Sequence, residues 1–186
     1  MKRFWIIFGL LAALIAGWLL GRPAYRAWKE KHFVAQAQDF YTRANFTNTG
    51  YYSNAVLAAR QALVLNSSNV EAWRVRARIA ENIHSRGALD LWQRVISLQP
   101  NTSNRLDFAR CAILFGASPR AEAVVREIPE SESDTAAYHQ LAAMLAMSDN
   151  NIAKAEWHFS RAIELDPNNK SVRFDQAVIL LHAKKT

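Results

Sequence analysis

The sequence is poor in cysteine, glycine and proline: its 186 residues include one cysteine, six glycines and five prolines. A single cysteine excludes an intrachain disulfide and a metal site built from cysteine ligands. Cys111 stands among the apolar residues Ala109, Ala112 and Ile113, a setting that favours an inert thiol in the core. Few helix-breaking residues lie between Ala24 and Ala44, so a helix is expected to continue through this stretch into the first repeat unit.

The sequence also lacks the motifs of common catalytic sites. It contains no glycine-rich phosphate loop, no nucleophile elbow and no paired-carboxylate arrangement. Its five histidines include no pair at the i, i+4 spacing by which one helix presents two metal ligands. These histidines are His32, His84, His139, His158 and His182. The sequence therefore predicts no enzyme activity, no metal site and no cofactor.

Basic charge is concentrated near the N terminus. The formal charge is +7, and six basic residues against one acidic residue supply +5 of it within the first 32 residues. The remaining chain is nearly balanced, with 17 basic and 15 acidic residues. This distribution suits lipid headgroups at the ends of an apolar segment better than it suits a nucleic acid, which needs basic residues on a folded face. We expect no nucleic-acid partner.

An uncharged apolar segment of 17 residues, residues 4–20, lies between these basic flanks. As a helix it would span about 25 Å, close to the ~30 Å hydrocarbon core of a bilayer. It predicts a single transmembrane helix over residues 1–21, followed by a basic juxtamembrane helix over 22–33. A cleaved signal peptide is the alternative, because Lys2 and Arg3 form a basic start, but no good small-x-small cleavage site follows.

The predicted membrane helix carries small residues on one face, namely Gly9, Ala13, Gly17 and Gly21. Their spacing of four permits close helix–helix packing in lipid, and chance placement of common small residues is the alternative. The expected localisation is single-pass in a membrane, the inner membrane of a bacterium. The short N-terminal tail favours an exoplasmic or periplasmic repeat domain, whereas the basic flank after the helix favours a cytoplasmic one.

A self-similar period of about 34 residues runs through the rest of the chain. Alanine recurs at Ala55, Ala88, Ala121 and Ala155, spaced 33, 33 and 34 residues apart. The positions four, seven and twelve residues after these alanines are also alike, and they include Trp92, Phe159, Ala162, Pro100 and Pro167. Offsets of four and seven share one stripe of a helix, and proline ends the helix. The pattern predicts a stack of similar helical units that bury their apolar faces against one another.

The last copy, AEWHFSRAIELDPNN from Ala155 to Asn169, closely resembles the second helix of a tetratricopeptide repeat. The resemblance implies an all-α fold, an α-solenoid of tetratricopeptide-type helix pairs, over residues 34–186, preceded by the single transmembrane helix. The four units would span about 34–68, 69–101, 102–135 and 136–169, and a terminal helix would span 170–184.

In this family, the concave face is lined by fixed positions of each first helix. Carried onto this sequence, these positions include Glu71, Arg74, Arg78, Glu81, Asn82, Arg110 and His139. We expect the three arginines to bind an acidic side chain or a C-terminal carboxylate of a peptide. The alternative is that Glu71 and Glu81 pair with the arginines as an ordinary solvated helix face. The lysine and asparagine of the family's chaperone-tail carboxylate clamp are absent from the corresponding positions.

These features predict a membrane-anchored, non-enzymatic scaffold that binds an unidentified protein or peptide on its concave face. A first alternative is an assembly factor or homo-oligomer that associates through the small-residue membrane face and the apolar terminal helix. That helix carries too many apolar residues for one buried stripe. A second alternative is the N-terminal part of a longer repeat array, because the terminal helix lacks a partner helix.

Overall fold

A computed structural model describes the backbone of residues 2–44, 48 and 50–183, and the side chains of residue 17 and of residues 21–44, 48 and 50–178. The elements in this part of the chain are nine α-helices and one short 3₁₀ helix, Glu130–Glu132. The α-helices are α1 (Lys2–Arg43), α2 (Gly50–Leu65), α3 (Val70–Asn82), α4 (Ala88–Leu98), α5 (Thr102–Leu114), α6 (Ser118–Val125), α7 (Ala136–Ser148), α8 (Ile152–Leu165) and α9 (Lys170–Ala183). The predicted all-α architecture is confirmed.

The repeated alanines lie in the even-numbered helices and are fully buried. They are Ala55 in α2, Ala88 in α4, Ala121 in α6 and Ala155 in α8. Trp92 and Phe159, each four residues after a repeated alanine, are also buried. Ala162, seven residues after Ala155, is buried as well. Small side chains at such positions let neighbouring helix backbones approach closely. The stripe predicted from the 34-residue period is therefore the buried face of each second helix.

Polar caps and prolines set several helix ends. Asn101 accepts a hydrogen bond from the backbone N–H of Asn104 at 2.9 Å at the start of α5, and Asn151 caps α8 in the same way at 3.1 Å. These bonds satisfy N–H groups that the first helical turn leaves without an intrahelical acceptor. Helices α4 and α8 each end two residues before a proline, Pro100 and Pro167. Both helices thus end just before the prolines of the repeat pattern.

The second helix of the third unit is shorter than expected. The offsets of four and seven residues from Ala121 fall on Val125 and Ile128 and predict one helix through all three, but α6 ends at Val125 after eight residues. Ile128 lies in the turn that follows and is nevertheless buried. The next residue is Pro129, and a proline disfavours helical conformation in the residue before it. The local sequence therefore shortens this helix, while tertiary packing still buries Ile128.

The chain divides into two compact units, Met1–Ile79 and Ala80–Thr186. In the first unit α1 packs along α2. Its core is made largely of alanine and consists of Ala37, Ala55, Ala58, Ala59, Ala62, Ala72, Val75 and Ile79. Aromatic side chains, among them Phe33 and Phe40 of α1, pack against this core. Small residues on one helix and aromatic residues on the other thus fill the space between them.

In the second unit, the helices of the predicted pairs pack together, α5 with α6 and α7 with α8. Successive pairs also touch, since α4 packs against α5, α6 against α7, and α8 against α9. A core that includes Ala143, Phe159 and Val172 joins α7, α8 and α9. Packing of each helix against its neighbours in sequence is typical of repeat architectures.

The structure contradicts the predicted single-pass localisation in a bacterial inner membrane. Within the part of the chain whose side chains the structure describes, no helix is long and apolar enough to cross a membrane. Arg22 and Arg26 lie in α1 directly after the apolar segment 4–20. Ionised side chains such as these are costly in hydrocarbon. Most side chains of the apolar segment 4–20 lie outside the described residues.

The predicted small-residue packing face lies only partly within the described side chains. Gly17 and Gly21 are exposed, and among the described atoms a Cβ added at either position would meet nothing within 4 Å beyond the adjoining residues and the backbone of its own helix. Gly9 and Ala13 lie outside the residues whose side chains are described. A packing role for this face stays a prediction.

Candidate functional site

Glu71 and Arg74, two of the predicted binding residues, form an ion pair with each other on α3. They stand at i and i+3, where side chains of one helix face meet. Arg78 follows Arg74 by one helical turn on the same face. All three residues belong to the unit Met1–Ile79. Arg74 is thus paired with a carboxylate of its own helix, an arrangement that the ion-pair alternative expected.

Glu81 and Arg110 form a second ion pair, within the unit Ala80–Thr186. Glu81 lies near the end of α3 with only 5% of its surface exposed, whereas Arg110 on α5 is partly exposed. Trp92 of α4 donates its indole N–H to the same carboxylate at 3.2 Å, and Asp107 lies 3.7 Å from Arg110. A buried carboxylate is costly unless it is paired and hydrogen-bonded, and these two donors meet that need. Asn82, the last residue of α3, is exposed.

His139, another predicted binding residue, is buried and contacts α8. Its Nδ1 lies 2.9 Å from Nδ1 of His158, so one of these nitrogens donates a hydrogen bond to the other. The indole of Trp157 meets both imidazoles edge-on, with centroid distances of 5.6 and 4.7 Å. Burial first, and then the nearby charges of His139 and Lys154, lower the pKa of His158 to about 4. The His158 imidazole is therefore neutral at neutral pH.

Asp134, which lies in the turn before α7, also contacts His139. Its Oδ1 lies 3.1 Å from Nε2 of His139, and its two oxygens accept hydrogen bonds from Arg161 at 3.1 and 2.8 Å. The hydrogen bonds from Arg161 and then from His139 lower the pKa of Asp134. We name His139, His158, Asp134 and Arg161 the histidine cluster. Sequence reasoning missed it because its members come from three segments and share no motif spacing.

An apolar groove of about 500 Å³ lies among α5, α7, α8 and α9. It is lined by Ile113, Met144, Met147, Ser148, Phe159, Phe174, Asp175 and Val178. Phe174 on α9 is 70% exposed although it is large and apolar. Exposed apolar side chains that converge in a concavity are typical of binding surfaces.

One edge of the apolar groove is polar. A smaller cavity of about 120 Å³ shares Met144 with the groove and is lined also by Asp107, Arg110 and Gln140. The Gln140 side-chain amide donates a hydrogen bond to Asp175 at 2.8 Å. In the part of the chain that the structure describes, Asp175 forms no ion pair with lysine or arginine. This carboxylate therefore gives the groove edge a negative charge.

The rest of the described chain offers little reactive chemistry. Its histidine, cysteine, aspartate and glutamate side chains include no group of three or more that could hold a metal ion. Cys111 is buried, and this burial, with a smaller effect of Glu81, raises the pKa of its thiol to about 12. The thiol form is a poor nucleophile and a poor metal ligand. The sequence-based interpretation of Cys111 as a core thiol agrees with its buried position.

No protein-family model and no curated protein matches the chain. Several solved structures are similar to it. PilF of Pseudomonas aeruginosa superposes with a TM-score of 0.70 at 14% identity, over 86% of this chain and 71% of the PilF chain. MamA, from residue 41 to its end, of Desulfovibrio magneticus RS-1 superposes with a TM-score of 0.67 at 14% identity, over 84% of this chain and 86% of that one.

A third similar structure is YrrB, described as a tetratricopeptide-repeat protein with an unusual peptide-binding site. Its TM-score is 0.55 at 13% identity, over 74% of this chain and 72% of YrrB. Identities this low establish the fold and nothing finer. The buried 34-residue repeat, the sequential packing of helices and these neighbours agree, and the chain therefore has the α-solenoid fold of tetratricopeptide-repeat proteins.

Proposed function

We propose that this protein is a non-enzymatic scaffold whose apolar groove binds a segment of a partner protein. The observation that carries the proposal is the convergence of apolar side chains from α5, α7 and α9, the first helices of three successive units, on one groove of about 500 Å³. The tetratricopeptide-type fold supports an interaction role, and YrrB is itself described as having a peptide-binding site.

The occupant we propose is a peptide segment with a bulky apolar side chain and a neighbouring lysine or arginine. Met144, Met147 and Phe174 offer the apolar surface, and burial of one large apolar side chain contributes about 1.5–3 kcal/mol. Asp175 supplies the charge, since its hydrogen-bond donor in the described chain is the neutral Gln140 amide. A basic residue of the partner at this edge would add charge complementarity and specificity.

A competing proposal is the binding of an acidic peptide by Arg74, Arg78 and Arg110. Arg74 and Arg110 each contact a carboxylate of the chain itself, Glu71 and Glu81. An acidic peptide would have to displace these carboxylates, so that one ion pair would replace another with little net change in free energy. We therefore favour the apolar groove as the binding surface.

Selection of phage-displayed random peptides on the purified chain tests the proposal. Enriched peptides should combine bulky apolar residues with lysine or arginine. A synthetic peptide from the selection should lose at least about tenfold in affinity against Phe174→Glu or Met147→Glu, because ~1.4 kcal/mol corresponds to tenfold. Val64→Glu, at an apolar residue of α2 that is 82% exposed, is the matched control and should bind as the wild type does.

Two outcomes would overturn the choice of groove or of occupant. Enrichment of acidic peptides, with binding lost in the Arg74, Arg78 and Arg110 triple alanine variant and kept in Phe174→Glu, would place the binding surface at the arginines. Concentration-dependent dimers in light scattering that Phe174→Glu abolishes would identify a second copy of the chain as the occupant, as the assembly-factor alternative expects.

A further inference from the structure

A glutamine on α7 connects the polar edge of the apolar groove to α9. The side-chain nitrogen Nε2 of Gln140 donates one hydrogen bond to Oδ2 of Asp175 at 2.8 Å and another to Oγ of Ser171 at 3.2 Å. A primary amide nitrogen carries two hydrogens, so both are used in these bonds. Gln140 therefore holds Asp175 at the groove edge and has no donor left for a ligand.

The carboxylate of Asp175 fixes the orientation of this amide. An ionised carboxylate only accepts hydrogen bonds, so the NH₂ group of Gln140, and not its carbonyl oxygen, faces Asp175. Among the described residues, no group donates a hydrogen bond to Oε1 of Gln140 or to Oδ1 of Asp175. No buried side-chain oxygen in this part of the chain is left without a partner, so both oxygens are accessible to a ligand.

The charged groups beside this edge are mainly negative. The cavity of about 120 Å³ next to the groove is lined by Gln140, Asp107 and Arg110. Arg110 is ion-paired with Glu81 and lies 3.7 Å from Asp107, so carboxylates of the chain offset its charge. Together with Asp175, these groups are three carboxylates and one guanidinium. Their combined charge attracts a cation of the partner to this edge.

Two accessible acceptors on an acidic edge fit the guanidinium of arginine better than the ammonium of lysine. A guanidinium group is planar and distributes five N–H donors over three nitrogens. One of these nitrogens can bind the carboxylate of Asp175 while another binds Oε1 of Gln140. A lysine ammonium is a compact, strongly hydrated charge that offers all its donors from one nitrogen. The arrangement therefore favours arginine.

We propose that this edge selects arginine over lysine in the partner segment, and that Gln140 is the residue that makes the distinction. The inference rests on the function proposed above and narrows its occupant to a segment in which an arginine neighbours the bulky apolar residue. Asp175 supplies the charge that either basic residue uses. Gln140 positions Asp175 and supplies the second acceptor, which arginine uses together with the carboxylate.

Three synthetic forms of one groove-binding peptide test the proposal. The peptide is selected on the full chain by phage display, and its basic position then carries arginine, lysine or citrulline, the uncharged analogue of arginine. Calorimetry with the wild-type protein should show that the arginine form binds at least about fivefold more tightly than the lysine form, because it gains one further hydrogen bond. The citrulline form should bind most weakly, because it lacks the positive charge.

Variants of the protein assign the preference to its source. Gln140→Met keeps the length of the side chain but removes the amide, and with it the carbonyl acceptor and the bonds to α9. It should reduce the preference for arginine over lysine to less than about twofold. Ser171→Ala is the matched control, because it removes only the other partner of the same amide, and it should keep the preference. Asp175→Asn should weaken the arginine and lysine forms alike, by at least about tenfold.

Circular dichroism of each variant establishes that it folds. The inference is overturned, while the function proposed above stands, if a peptide that depends on Phe174 binds equally well with arginine and with lysine. It is overturned in the same way if folded Gln140→Met keeps the wild-type preference. A selection that yields no basic peptide dependent on Phe174 overturns both this inference and the proposed occupant of the groove.

Discussion

The indole N–H of Trp92 donates a hydrogen bond to the buried carboxylate of Glu81 at 3.2 Å, so that the largest side chain of α4 is tied to the end of α3. Arg110 of α5 reaches the same carboxylate. One acidic residue, expected from the sequence to line a binding face, thus connects three consecutive helices. Replacing Glu81 therefore measures how much these contacts stabilise the folded protein.

Glu81→Ala should destabilise the protein by about 1–3 kcal/mol, because it leaves the buried Trp92 N–H without an acceptor and Arg110 without its buried partner. Urea denaturation followed by circular dichroism measures this change. Glu122→Ala, which breaks the more exposed ion pair with Arg126, is the matched control and should change stability by no more than about 0.5 kcal/mol. Equal losses in the two variants would contradict a structural role specific to Glu81.

Ala121→Leu should cost about 1–3 kcal/mol, since the added carbons have no space at a fully buried position where helices approach closely. The exposed Ala123 on the same helix provides the control, and Ala123→Leu should be close to neutral. Thermal denaturation of both variants measures the two changes in stability. A stable Ala121→Leu protein would mean that the short helix α6 shifts freely.

The stability of the protein should fall as the pH is lowered from about 6.5 to about 4. Burial lowers the pKa of His158 from 6.5 to about 4 in the folded state. Below pH 6.5 the unfolded chain therefore binds a proton that the folded chain does not, and this favours unfolding. Below about pH 4 both states are protonated, and the effect levels off.

Thermal midpoints across this range measure the effect. His158→Gln cannot take up the proton, so its midpoint should depend less on pH than that of the wild type. The groups around His158 include His139, Lys154 and, through His139, Asp134 and Arg161. Parallel pH profiles of wild type and variant would assign the acid sensitivity to other groups.

Cys111 should resist alkylation in the folded protein. Its thiol is buried and its pKa is raised to about 12, so very little thiolate forms near pH 8. Iodoacetamide labelling followed by mass spectrometry should show modification only after unfolding in urea. Ser97→Cys places a thiol at an exposed position of α4 and should be labelled at once in the folded protein. Rapid labelling of native Cys111 would show that α5 opens frequently.

The buried face of the repeats was predictable from the sequence because it depends on local spacing. Helical periodicity places Ala155, Phe159 and Ala162 on one stripe, and the structure buries all three. The shortening of α6 was not predicted, although its signal, the proline after Ile128, is visible in the sequence. Membrane localisation was predicted from residues 4–20, and the described residues contradict it.

The candidate sites were less predictable because their residues come from separate helices. His139 and His158 are 19 residues apart and meet only through the packing of α7 on α8. Family register placed Arg74 and Arg110 on the concave face, but the sequence left open whether they bind a peptide or pair with Glu71 and Glu81. The structure shows both ion pairs. In the sequence, Phe174 is one of several apolar residues on the terminal helix, which carries more of them than one buried stripe holds.

Met144 and Met147 give the apolar groove two unbranched, polarisable thioethers among its lining residues. Such side chains change rotamer at little cost and adapt to ligands of different outline. A groove of this kind discriminates between apolar side chains mainly by size and only weakly by shape. Leucine, methionine and phenylalanine in a partner would therefore be nearly interchangeable. Discrimination between partners would then depend on the position of a basic residue relative to Asp175, and partner sequences could drift at the apolar position without losing recognition.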